Sequence, residues 1–275
     1  MRIGYNTWSM ATVPYQVFIP ELHRIGYTAI VVSVVPGYGI GGKRVPNAAA
    51  LDSLTRDDRR RIKEGFEQRG LELPSVVGNA SVVEEDGERN RENLQRLRDT
   101  IDLAVEVCPK GQPLPTVNTG TGGGRDEFEA KQQLMVDRLG ELAEYAAQRG
   151  VTIAIEPHVG NAIDRPERAE WLIQAVNRPN VRLDLDISHF EVAAFPIEDT
   201  TRRLVPLSAA VEIKDQNMRY ADQASDPERP GWHVAGNGVG RGLSPDGRQT
   251  EHHAYAQGCS VDSLSARAPT GEPEE

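Results

Sequence analysis

Seven short runs rich in β-branched residues, each followed by a stretch with helical periodicity, constrain what this chain can fold into. They are RIGYNTW, TAIVVSVV, LELPSVVG, LPTVNTG, VTIAIEPH, VRLDLDISHF and AAVEIKD. They begin roughly 30 to 40 residues apart, which is the spacing of βα units. Near-continuous apolar strands alternating with helices imply a parallel sheet covered on its outer face. The intervening helices are well defined. In DEFEAKQQLMVDRLGELAEYAAQRG, Phe128, Met135, Leu139, Leu142 and Ala146 share one face, with charges opposite. Gly150 is placed to end that helix, and Pro166 suits the first turn of the next.

Seven βα units favour a (β/α)8 TIM-type barrel over a doubly wound sheet, although the spacing alone leaves both open. The count stops at seven. Beyond Lys214 the chain becomes rich in Gly, Pro, Ser and Glu, and from Gly240 to Glu275 the clearly apolar side chains are Leu243, Tyr255, Val261 and Leu264. The barrel is therefore expected to be incomplete at its last βα unit. Residues 1–235 would form the barrel domain, and residues 236–275 a glycine-rich loop and a disordered tail. Such a barrel leaves two strand edges to be covered, for instance by a homo-oligomer or by a partner subunit that closes the gap. A reading-frame change near Gly236 to Gly242 would also produce this shift in composition.

The chain has 275 residues and a net charge of −10. Acidic balance argues against nucleic acid or a membrane surface as partner. There is no apolar span of bilayer length and no basic, apolar leader at the start. The two cysteines, Cys108 and Cys259, form no metal-type or disulfide pattern. A cytoplasmic protein is the expectation. TGTGGGR and GNGVGRG lack both the dinucleotide fingerprint and the P-loop ending, because Arg125 and Arg241 stand where the last glycine belongs. They read as flexible βα loops.

Polar residues cluster where the strands end: Asn6 and Trp8, Asn79, Asn118, Glu156 and His158, Asp186 and His189, Glu212 and Lys214. In a parallel barrel those ends converge on one mouth. Asp184 and Asp186, two residues apart, share a face. Burying both without a cation would be costly.

The run IAIEPH, followed by LDLDISHF and VEIKD, resembles the xylose-isomerase-like barrel superfamily of sugar (phosphate) isomerases and epimerases. The likeness covers roughly residues 1–219. It implies a divalent metal, manganese first with magnesium or cobalt as alternatives, bound by Glu156 and Asp186. The third ligand in the family is a strand-seven histidine. Here Glu212 stands in its place and can still offer oxygen to a hard cation. The family's strand-eight glutamate has no counterpart in the sequence. The resemblance further implies Glu156 as a catalytic acid/base, with His158 and Lys214 as candidate helpers. Trp8, Asn118, His189 and Arg219 would contact a sugar-like substrate. The expected chemistry is isomerisation or epimerisation by proton abstraction next to a carbonyl, through an enediolate. Two alternatives stay open: a non-catalytic or truncated barrel, and a lyase or dehydratase subunit that acts on an oxidised sugar with a partner chain.

Overall fold

The structure is a computed structural model that describes residues 4–40 and 43–213 and the short strands at 241–243, 249–251 and 261–262. In chain order the strands are β1 (Gly4–Asn6), β2 (Ala29–Ser33), β3 (Gly37–Ile40), β4 (Lys43–Pro46), β5 (Ser75–Val77), β6 (Thr116–Thr119), β7 (Ile153–Ile155), β8 (Val181–Asp186), β9 (Ser208–Glu212), β10 (Arg241–Leu243), β11 (Gln249–Glu251) and β12 (Val261–Asp262). The helices are α1 (Tyr15–Ile25), α2 (Arg56–Arg69), α3 (Gly87–Val107), α4 (Phe128–Ala147), α5 (Pro166–Val176), α6 (Ile187–Val192) and α7 (Ile197–Leu204).

The main sheet runs β1-β2-β5-β6-β7-β8-β9-β12. Its first seven members are mutually parallel, as the βα alternation requires. Among the described residues this is an α/β barrel short of an eighth parallel strand. On the outer edge of β9 the two-residue β12 pairs antiparallel, Val261 opposite Val211 and Asp262 opposite Ala210. The hairpin β3–β4 is an insertion after β2 that the strand pattern did not reveal.

Local sequence explains the elements. Thr55 caps α2 in a reciprocal capping box with Asp58, and Gly70 closes the helix in the left-handed region at φ 63°. Pro166 occupies the first turn of α5. The face of α4 carrying Phe128, Met135, Leu139, Leu142 and Ala146 is buried throughout. It packs with Val117, Ile153, Ile155, Leu183 and Leu185, residues on the outer side of the sheet. Burial of each such aliphatic side chain stabilises the fold by about 1.5–3 kcal/mol.

The glycine-rich run after β6 differs from its expected flexibility. Thr121 O accepts from Val82 N at 3.0 Å, and Gly123 O from Ala162 N at 3.1 Å. A Cβ at Gly122, where φ is +73°, would stand 2.2 Å from Ser81 Oγ. The glycines thus let three neighbouring loops pack against each other. Asp164, fully buried, holds the same assembly with Arg125, with Arg165 Nε at 3.2 Å and with Arg168 at 3.3 Å. Most of the second glycine-rich run, with Lys214 and Arg219, lies outside the described residues.

Candidate active site

The strand registers decide which side chains face the barrel interior. Asn118 pairs with Ala154, and Ala154 with Arg182. Paired residues share a face and successive ones alternate. The interior set therefore runs through Asn118, Ala154, Asp184 and Asp186, and Glu156 continues the β7 row just past the strand end. Ile153, Ile155, Leu183 and Leu185 face the helices and are fully buried.

β9 needs a correction to its register to join this set. Leu183 pairs with Ser208, but the next residue, Asp184, pairs with Ala210, so Ala209 is an extra residue on β9. A one-residue bulge turns every later side chain to the other face. Ala210 and Glu212 thereby point inward, with Glu212 directly beside Asp186. Unbroken pairing would have sent Glu212 towards the helices.

Asp186 ends β8 and caps α6 at once. Its Oδ1 accepts from Ser188 N at 3.0 Å and from Ser188 Oγ at 2.6 Å. Capping fixes the carboxylate and starts the helix in the next residue. One turn on, at i+3, His189 is carried back over it. His189 Nε2 then lies 3.4 Å from Asp186 Oδ2 and 3.2 Å from Glu156 Oε1. Donor atoms of Glu156, Asp186 and His189 all fall within 4.8 Å of one another, a geometry that can hold a metal ion. Asp186 and His189 are buried, while Glu156 is 19% exposed and reaches the solvent side of the mouth.

The remaining site residues expected from the sequence fall around this cluster. His158 Nδ1 bonds to Val159 O at 2.8 Å, and because a carbonyl only accepts, that nitrogen carries the proton. Its ring lies 3.9 Å from the His189 ring, centroid to centroid. Asn118 is fully buried one layer beneath Glu156, where its amide donates to Asp184. Trp8 sits in a short helical turn, against an apolar group made of Ala11, Val31, Val35 and Val77. Glu212 is buried and accepts from Asn6 Nδ2 at 2.8 Å, and it lies outside the three-residue cluster. His189, which the resemblance implied as a substrate contact, stands with the two carboxylates. The local signal was present in Asp186-Ile-Ser-His189, an N-cap followed by an i+3 partner.

Acids and imidazoles at the C-terminal ends of parallel strands occupy the place where barrel enzymes carry their active sites. The profile of the xylose isomerase-like TIM barrel family matches residues 19–245. The chain belongs to that family. It is 23% identical over 193 residues to a Danio rerio protein named "Putative hydroxypyruvate isomerase", covering 65% of this chain and 68% of that one. It is 21% identical over 175 residues to an inosose dehydratase of Geobacillus thermodenitrificans, covering 62% of this chain and 59% of that protein. Solved structures share the fold, two of them as follows. One is an apo 3-keto-D-glucoside 4-epimerase from E. coli, with a TM-score of 0.61 and 16% identity over 78% of this chain and 79% of that one. The other is a xylose isomerase-like barrel protein from Mycobacterium smegmatis in complex with magnesium, with a TM-score of 0.59 and 19% identity over 94% and 80%. Among the described residues, no helix is long and apolar enough to cross a membrane.

Proposed function

We propose that this chain is a divalent-metal-dependent isomerase or epimerase of a sugar or sugar-like hydroxycarbonyl compound, working in the cytoplasm. The observation that carries this reading is the convergence of Glu156, Asp186 and His189 donor atoms within 4.8 Å at the barrel mouth. The donor set fits a divalent cation. Two carboxylate oxygens supply charge, and one imidazole nitrogen widens the choice from magnesium to manganese or cobalt, with manganese preferred. His189 is 2% exposed, and its Nδ1 has no hydrogen-bond partner among the described residues. Nε2, the other ring nitrogen, is the one that faces both carboxylates. Glu212, the third ligand implied by the family resemblance, stands next to Asp186 but outside the cluster, so His189 is the better candidate for that position.

A bound cation would polarise the substrate carbonyl and stabilise the enediolate charge. The side chains do the rest. Glu156, the most accessible of the acids, takes the proton from the carbon next to the carbonyl. His158, with its proton committed to Val159 O, presents Nε2 as an acceptor for a substrate hydroxyl. Trp8 and its apolar neighbours wall the opposite side of the mouth. Lys214 is proposed as a further proton carrier and Arg219 as a substrate contact, and both lie outside the described residues. If a β-hydroxyl departs after the same proton abstraction, the outcome is dehydration, the reaction named for one relative.

The test is an assay of manganese-loaded protein in D2O with hydroxypyruvate and a panel of ketoses. Chelator-sensitive deuterium incorporation next to the carbonyl, lost in Glu156→Gln, is expected. A folded, metal-loaded protein that exchanges no substrate proton would overturn the reading.

A further inference from the structure

A histidine that ligates a metal through one ring nitrogen is ordinarily oriented by a hydrogen bond from the other. In His189 that other nitrogen is Nδ1, and no protein group among the described residues takes the bond. The contacts of Nε2, 3.2 Å to Glu156 Oε1 and 3.4 Å to Asp186 Oδ2, are with the two carboxylates that a cation would claim. A different restraint must therefore set the plane of this ring. Resting on the function proposed above, we propose that His158 is a positioning residue of the metal site: the face of its ring holds the His189 imidazole so that Nε2 points at Glu156 and Asp186.

The local sequence anchors His158 twice. In EPHVGN, His158 O accepts from Asn161 N at 3.0 Å, and Gly160 has φ 86°, as the third position of a type II turn requires. The side chain is tied to the same turn, with Nδ1 donating to Val159 O at 2.8 Å. Backbone and ring are thus both fixed before His158 meets its neighbour. The His189 ring then lies 3.9 Å away, centroid to centroid, with 42° between the planes. Its backbone is set separately by α6, which Asp186 starts by capping Ser188 N. That leaves rotation about the Cβ–Cγ bond. For a histidine this torsion is broad, so its own rotamer preference does not choose the ring plane. A fixed ring in contact with one face does, because rotation would drive the two rings together.

The two acid–imidazole pairs therefore interlock. Glu156-Pro-His158 and Asp186-Ile-Ser-His189 each supply one carboxylate and one imidazole, and the imidazole of the first pair steadies that of the second. The support is given by the ring face, which is where this assignment differs from a ligand or proton-transfer role for His158. Either of those roles needs a ring nitrogen. Support needs only a flat side chain of similar breadth.

The experiment compares full-length wild type, His158→Phe and His158→Asn by manganese calorimetry and by the visible spectrum of the cobalt-substituted proteins. Phenylalanine keeps the ring face and drops both nitrogens. Asparagine keeps a donor for Val159 O and drops the face. His158→Asn should weaken manganese binding by about tenfold or more and shift the cobalt bands, while His158→Phe stays within about threefold of wild type. In the His189→Gln background, His158→Asn should cost nothing further, because no imidazole is left to hold. Circular dichroism checks that each variant is folded, and a merely structural role would lower stability without moving the cobalt bands. The assignment is overturned if Phe loses as much affinity as Asn, if the cobalt bands of His158→Asn match wild type, or if His158→Asn costs as much without His189 as with it. Those outcomes, with normal manganese binding by wild type, remove this assignment alone. A folded wild type that binds no manganese removes the proposed function and the assignment together.

Discussion

Asn6 on β1 donates its side-chain amide to Glu212 on β9 at 2.8 Å, a bond between residues 206 positions apart. The first and seventh parallel strands are thus tied at the seam where a further parallel strand would complete the ring. Among the described residues, the strand on the outer edge of β9 is the antiparallel β12. The bond belongs to the site as much as to the fold, because Glu212 stands beside Asp186.

Metal affinity should follow the three-residue cluster. His189→Gln is expected to weaken manganese binding by at least about tenfold, ~1.4 kcal/mol, and to alter the visible spectrum of the cobalt-substituted protein. A wild-type spectrum in that variant would remove the imidazole from the ligand set.

Asp164 should be a stability position without a chemical role. Its buried carboxylate meets Arg125, Arg165 and Arg168, of which Arg125 and Arg165 are 42% and 38% exposed. Breaking a buried pair costs about 3–5 kcal/mol, and solvent screening of the exposed arginines puts Asp164→Ala near the lower bound. Urea unfolding measures this, and manganese affinity of the folded variant should stay within a few-fold of wild type.

Gly122→Ala should strain the loop assembly, because a Cβ there meets Ser81 Oγ and φ is +73°. The expected loss is about 1–3 kcal/mol. The double variant with Ser81→Gly should recover part of it, which separates the contact from the backbone strain.

The α2 capping box should contribute to acid unfolding. Hydrogen bonds from Thr55 first, and then Tyr15, hold the Asp58 carboxyl below its ordinary value of 3.8. A group depressed in the folded state contributes stability that is complete above the unfolded value and lost as pH falls through the folded one. Thr55→Ala should therefore lose stability at pH 6 and show a shallower further loss below about pH 4 than wild type. Parallel urea titrations at the two pH values would check it.

Cys108 should be inert in the native state. Burial pushes its thiol up from the ordinary value of 9.0, so little thiolate is present at neutral pH. Alkylation followed by peptide mass spectrometry should label Cys108 slowly in buffer and quickly in urea.

Much of this arrangement is legible in the sequence, and the residues show why. The seven strands and the buried face of α4 follow from periodicity, because strand and helix burial are local patterns. The approach of Glu156 to Asp186 follows from the convergence of parallel strands. The inward turn of Glu212 does not, since it depends on one extra residue, Ala209, whose bulge carries no distinctive side chain. The stiffness of the glycine-rich loop was also hidden. Its glycines read as freedom, whereas Gly122 and Gly123 serve close packing against Ser81 and Val83. The place of His189 depended on recognising that Asp186 both ends a strand and begins a helix.

The central claim is a divalent metal held at the mouth by Glu156 and Asp186. Calorimetric titration of manganese into metal-stripped wild type, Glu156→Gln and Asp186→Asn tests it most directly. The account predicts saturable one-to-one binding by wild type and its loss in both variants, with circular dichroism unchanged. A folded wild type that binds no manganese, or variants that bind as wild type does, would contradict it.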